Sequence, residues 1–165
     1  MTATYEKIAT STLSSAQASV TLSSIPGSYT DLVLVVNGKT DGSGGYNALS
    51  LRVNGDSGSN YSRTIIYGGN GFKDSYSYSN ETSTFVTIGQ QADAFGNAIV
   101  NFNNYSNTTT HKTFLGRDNY STNVVYATVS LWRNTSAITS ITLSGTGGHN
   151  IVSGSTFNVY GIKAE

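Results

Sequence analysis

Residues 51 to 62 read LRVNGDSGSNYS and put Asn54, Asp56, Gly58 and Asn60 at alternate positions. Oxygen-bearing side chains at three of those four positions are the raw material of a site for a hard cation. A calcium loop of the helix-loop-helix kind also needs glycine at its sixth position and a bidentate glutamate at its twelfth. Counted from Asn54, those positions hold Ser59 and Ile65, and Asp56 supplies the one negative charge. The spacing fits a turn better. Asn54-Gly55 accepts the positive φ of a hairpin connection, and Asp56 is placed to bond local backbone donors. No metal and no cofactor is expected.

Other reactive arrangements are equally thin. His111 and His149 are the two histidines and there is no cysteine, so thiol catalysis and cysteine-based metal sites are excluded. A nucleophile elbow would read G-x-S-x-G, whereas GDSGS at 55 to 59 displaces the serine. The pieces GSGG and GGNG lack the following Lys-Ser/Thr of a phosphate loop and read as turns. The acids Glu6, Asp31, Asp41, Asp56, Asp74, Glu81, Asp93, Asp118 and Glu165 form no obvious glycosidase pair. The expectation is a protein that is not an enzyme.

Aromatic residues set among small polar ones are the chemistry that remains. YGGNGFKDSYSYSN, residues 67 to 80, places Tyr67, Phe72, Tyr76 and Tyr78 among Gly, Ser and Asn, and Tyr46, Tyr61, Tyr105 and Tyr120 have similar neighbours. Tyrosine offers a large contact area at low rotamer cost while Ser, Gly and Asn adapt their hydrogen bonds. These eight are the candidate ligand- or partner-binding residues, read as loop aromatics. A purely structural role, covering the sandwich ends or filling contacts between copies of the chain, competes with that reading. If they bind a small ligand, sugars are the natural class, because aromatic faces stack on pyranose rings.

The elements that must position them are strands. Period-two alternation recurs along the chain, as in Val20 and Leu22, in Leu49, Leu51 and Val53, and in Ala98, Val100 and Phe102. Strands are predicted near 4–12, 18–25, 30–38, 46–54, 60–67, 82–89, 96–104, 111–117, 122–133, 137–144 and 156–163, separated by Gly, Asn, Asp and Ser clusters. The fold class is all-β: a two-sheet antiparallel sandwich, jelly-roll-like, with about ten strands and no substantial helix, in a single domain spanning 1–165. LVLVV at 32 to 36 suits a central strand covered on both faces, or on one face with a subunit contact on the other. In VVYATVSLW the stripe Val125, Ala127, Val129 and Leu131 is the expected core face. Pro26 falls between strands, where its missing donor costs no ladder bond.

Charged residues are 11% of the 165, nine basic against nine acidic, compared with roughly 25% in an average domain. Surface hydration therefore rests on 24 Ser, 22 Thr and 16 Asn. The nine Lys and Arg are scattered singly, which argues against nucleic acid as a partner. No apolar run approaches the ~18 residues of a membrane helix, and MTATYEKIATSTL has no basic opening or apolar core of a secretory signal. Six N-x-S/T sequons occur, a number that the Ser, Thr and Asn content explains by chance.

Four segments, YEKIATSTLSSAQASVTLSSIP, YTDLVLVV, LRVNGDSGSNYS and LWRNTSAITSITL running on to YGIKAE, together resemble the small β-sandwich virion proteins of tailed bacteriophages, especially those of cyanobacteria and marine bacteria. The similarity spans nearly the whole chain, carries no catalytic residue and is weakest over residues 67 to 121. It implies a virion component assembled in the host cytoplasm. The expected role is a capsid decoration or cement protein docking by its sheet faces and loops onto major capsid or other virion proteins. The alternative is a tail-associated receptor-binding module that recognises host surface glycan. A homo-oligomer, with a trimer as the guess for such assemblies, is expected. The absence of coiled-coil heptads favours decoration over a fibre.

Overall fold

The computed structural model describes residues 5–43, 48–89, 94–119 and 124–163, together with the backbone alone of Tyr120. Twelve strands are found among them: β1 (Tyr5–Thr12), β2 (Ser19–Leu22), β3 (Asp31–Gly38), β4 (Ala48–Val53), β5 (Tyr61–Gly69), β6 (Phe72–Glu81), β7 (Thr84–Thr87), β8 (Gly96–Phe102), β9 (Lys112–Tyr120), β10 (Val124–Trp132), β11 (Ile141–Gly145) and β12 (Thr156–Ile162). One 3-10 turn at Thr146–Gly148 is the sole helical piece described. All the strand pairings are antiparallel.

The sheets have unequal widths. One runs β1-β12-β3-β8-β9-β10-β5-β6 and the other β2-β11-β4-β7. Leaving aside the hairpins β5-β6 and β9-β10, the first strand pairs the last, the second the next to last, and so on inward: β1 with β12, β2 with β11, β3 with β8, β4 with β7. That is a long folded ribbon rolled into two four-stranded sheets, the strand order of a jelly roll. The two extra hairpins lie side by side and widen one sheet to eight strands. The expected antiparallel sandwich is therefore present, with two strands more than the ten expected.

The core lies where the two sheets face each other. Leu32, Leu34 and Val36 of β3, Leu49, Leu51 and Val53 of β4, Phe102 of β8, Phe114 of β9, Trp132 of β10, Leu143 of β11 and Phe157 of β12 are all buried. Each such side chain contributes about 1.5–3 kcal/mol relative to exposure. Gly161 in β12 is required by packing, because a Cβ there would overlap the Tyr29 ring.

Two sequence expectations are corrected. The stripe expected in the core from β10 faces outward: Val125 is 65% and Val129 53% exposed, while Thr128, Ser130 and Trp132 are buried. Trp132 supplies the apolar bulk of the inward stripe, and the Ser130 hydroxyl is satisfied by a hydrogen bond with Thr84 across the sheets. The second correction is β6. Residues 72–81, expected to be loop, form a ten-residue edge strand exposed on both faces, so the alternation of Phe72, Tyr76 and Tyr78 with Lys73, Ser75 and Ser77 reflects no buried face.

Candidate functional site

The turn between β5 and β6 is Asn70-Gly71, with φ of 50° and 85°. Gly69 pairs directly with Phe72, which leaves a two-residue loop with both φ positive, the geometry that matches strand twist in a tight hairpin. The hairpin extends the eight-stranded sheet beyond the smaller sheet, whose last strand is β7. Its inner face consequently lacks a full covering layer, and a cleft opens there.

The cleft holds about 330 Å³ and is lined by Arg63, Ile65 and Tyr67 of β5, Tyr76 and Tyr78 of β6, Phe85 of β7 and Tyr126 of β10. Cross-strand register explains the assembly: Tyr126 is opposite Tyr67, Ile65 opposite Tyr76, and Arg63 opposite Tyr78. Tyr67 stacks on Tyr126 with centroids 5.3 Å apart and planes at 12°, and on Tyr76 at 5.9 Å and 21°. Phe72 meets Tyr67 edge-on at 5.8 Å, and Tyr76 and Tyr78 are tilted at 6.4 Å. Such pairs add about 0.5–1.5 kcal/mol each beyond burial.

Arg63 organises the opposite wall. Its guanidinium lies 4.3 Å from the Tyr78 ring centroid and 4.1 Å from that of Phe85, a double cation–π contact. Nη1 is 3.3 Å from Glu81 Oε2 and donates to the Ser83 carbonyl at 3.5 Å, while Nε is buried without a partner among the described residues. Hydrogen bonds to Tyr67 and to Asp74 push the Tyr76 hydroxyl up to about 12, so it stays protonated.

The eight predicted aromatics divide sharply. Tyr67, Phe72, Tyr76 and Tyr78 come together at the cleft, on strands and not on loops. Tyr61 and Tyr105 are corrected to core residues, each fully buried. The Tyr61 hydroxyl accepts from Val53 N at 3.1 Å and donates to the Asp56 carbonyl at 3.3 Å, and burial pushes it up to about 12. The Tyr105 hydroxyl donates to the Pro26 carbonyl and accepts from Tyr29 N. Tyr46 lies outside the described residues, as does the Tyr120 side chain. Sequence reasoning missed Arg63, Ile65, Phe85 and Tyr126. The period-two spacing of Tyr61, Arg63, Ile65 and Tyr67 was the available signal for two of them.

The loop after β4 is a turn, with Asn54 and Gly55 at φ of 53° and 68°. It crosses between the two sheets and is not the hairpin connection expected. Asp56 Oδ1 accepts from Gly58 N at 2.8 Å, and Oδ2 accepts from Asn60 Nδ2 at 2.9 Å and from Trp132 Nε1 at 2.6 Å. Its oxygens are thus engaged by donors. Among the described residues no group of three or more His, Cys, Asp and Glu is placed to hold a metal. His149 Nδ1 stands 3.8 Å from Asp41 Oδ1, and among the described residues neither histidine hydrogen-bonds a hydroxyl.

A second surface feature lies on the outer face of the eight-stranded sheet. Ile66 of β5, Leu115 of β9 and Val125 and Val129 of β10 are 52–65% exposed. Val129 is opposite Leu115, and Ile66 is opposite Ala127, between the two valines, so the four form one apolar patch across three adjacent strands.

No family model and no curated protein matches the chain. Among solved structures it is similar to a crystal structure of a protein of unknown function from Shewanella oneidensis MR-1, at 10% identity over 98% of this chain and 80% of that one, with a TM-score of 0.28. A likeness at that level carries no functional argument.

Proposed function

We propose that this chain is a non-enzymatic structural protein of a bacteriophage particle, a decoration or cement subunit that docks through the outer face of its eight-stranded sheet. The observation that carries the docking is the patch Ile66, Leu115, Val125 and Val129, apolar and exposed on a sheet whose opposite face already packs the core. Contiguous exposed apolar area of this kind marks contact surfaces. The particle itself enters through the resemblance of the four sequence segments to phage virion proteins. A homo-oligomer, a trimer in this reading, presents several copies of the patch to a symmetric shell.

The test is made on purified particles encoding the chain. The protein is expected at a stoichiometry matching the capsid lattice, and light scattering of the isolated protein is expected to give one sharp oligomer. Leu115→Asp combined with Val129→Asp is expected to prevent rebinding to stripped particles and to lower their rupture temperature to that of bare shells. Trace abundance in the particle, or undiminished rebinding of the double variant, would refute the reading. The tail-associated reading is favoured by one specific observation, the aromatic cleft.

A further inference from the structure

The strand β6 is exposed along both faces, yet its two faces differ completely in chemistry. Phe72, Asp74, Tyr76 and Tyr78 lie on the cleft side, and Lys73, Ser75 and Ser77 on the other. Burial cannot account for that division, because neither side is buried. Tyr76 remains 47%, Phe72 47% and Tyr78 41% exposed. Aromatic side chains held at a solvent-open cleft, most of them carrying a hydroxyl, suit a ligand with apolar ring faces and polar edges.

We propose that this cleft binds neutral pyranose sugars, with Tyr76 and Tyr78 as its stacking platforms. The axial C–H bonds of a pyranose carry partial positive charge and are attracted to the electron-rich aromatic face. Tyrosine hydroxyls and the Asp74 carboxylate at the rim accept and donate as ring hydroxyls require. The volume of about 330 Å³ lies at the low end of ligand pockets, enough for the end of a glycan chain.

Charge selects within the sugars. Arg63 is the single cation lining the cleft among the described residues, and it is held between Tyr78 and Phe85 with its Nη1 on Glu81. Asp74 on the same face adds a negative charge that Lys73, pointing to the opposite side, does not offset. An anionic sugar therefore meets net negative charge, whereas a neutral one meets only hydrogen-bonding groups. The stacking of Tyr67 between Tyr126 and Tyr76 fixes the platform before a ligand arrives, which lowers the ordering cost of binding.

This inference stands independently of the particle reading. The experiment titrates the intact protein, by calorimetry and by amide NMR shifts, with chitotriose, maltotriose, mannotriose and lactose, and with trigalacturonate as the acidic counterpart. At least one neutral saccharide is expected to bind and shift residues of β5 and β6. Tyr76→Ala and Tyr78→Ala are each expected to weaken it about tenfold or more. Ser75→Ala with Ser77→Ala, on the other face of the same strand, controls for the integrity of β6 and is expected to leave affinity unchanged. Failure of all four neutral saccharides to bind overturns the proposal, as does binding of trigalacturonate alone, or affinity retained in both tyrosine variants. Conversion of an oligomer to monomer by Tyr76→Ala would instead assign the cleft to a second copy of the chain. Leu115→Asp with Val129→Asp is expected to keep sugar binding, so failure of docking and failure of the sugar site are separately visible.

Discussion

The indole nitrogen of Trp132 donates to Asp56 Oδ2 at 2.6 Å, which ties the end of β10 to the loop that carries the chain from one sheet to the other. Asp56 also accepts from Gly58 N and Asn60 Nδ2, and it is the hub of a loop that could have been a cation site. Burial alone would raise its pKa. The hydrogen bonds from Trp132, Asn60 and Gly58 outweigh that and hold the carboxyl below its usual range.

Asp56→Ala leaves the buried indole N–H without an acceptor. A loss of about 1–3 kcal/mol is expected in urea unfolding at pH 7. Because the folded pKa is depressed, the carboxylate's contribution is present above the ordinary aspartate pKa and disappears as pH falls through the folded value. The gap between variant and parent should therefore narrow in acid. Added calcium is expected to leave the unfolding midpoint of the parent unchanged.

Asp118 responds in the opposite direction. It sits in β9 against β7, with Oδ2 accepting from Thr87 N at 2.6 Å and Oδ1 buried without a partner among the described residues. Burial pushes its pKa up to about 7, against the lowering effect of the Thr87 bonds. The folded state thus holds a proton that the unfolded chain releases near pH 4. The contribution of Asp118 to stability is therefore full below about pH 4, declines as pH rises from there, and is lost above about 7. Asp118→Asn, which keeps an acceptor for Thr87, should flatten that slope and be more stable than the parent at pH 8 by up to about 4 kcal/mol. Guanidinium titrations at pH 5 and pH 8 measure both.

Arg63 is a framework residue of the cleft, and its planar cation is used on both faces. Arg63→Ala removes two cation–π contacts and the partner of Glu81, and a loss of about 2–4 kcal/mol is expected. Arg63→Lys keeps the charge but not the plane and should recover only part of it. Faster amide exchange confined to β5 and β6 would mark the hairpin as the element that loosens.

The orientation of β10 is checked by two truncations. Trp132→Ala, at the buried stripe, should cost about 3–5 kcal/mol. Val129→Ala, on the outer face, should change stability by about 0.5 kcal/mol or less. Equal effects would contradict the register.

Much of the sandwich was legible in the chain. Alternation of side chains across a strand is a property of the local backbone, so Leu49, Leu51 and Val53 announce a half-buried strand without reference to anything distant. Asn54-Gly55 likewise announces a turn, because positive φ is a local demand. Asn70-Gly71 made the same announcement for β5-β6, although the serines and tyrosines after it gave no burial pattern to support a strand.

What only the tertiary structure decided is which side of a strand is inside and which tyrosines are surface. Tyr61 and Tyr105 have polar neighbours in sequence just as Tyr76 and Tyr78 do, yet the first pair is fully buried and the second is open to solvent. The physical reason is the unequal width of the sheets. The smaller one ends at β7, so the Tyr61 end of β5 still packs in the core, whereas the Tyr67 end of β5 and the inner face of β6 run past that edge and line a cleft. Tyr105, in the connection after β8, is drawn inside by its hydroxyl bonds to Pro26 and Tyr29. Sheet width follows from pairings between strands far apart in sequence, and no local pattern encodes it.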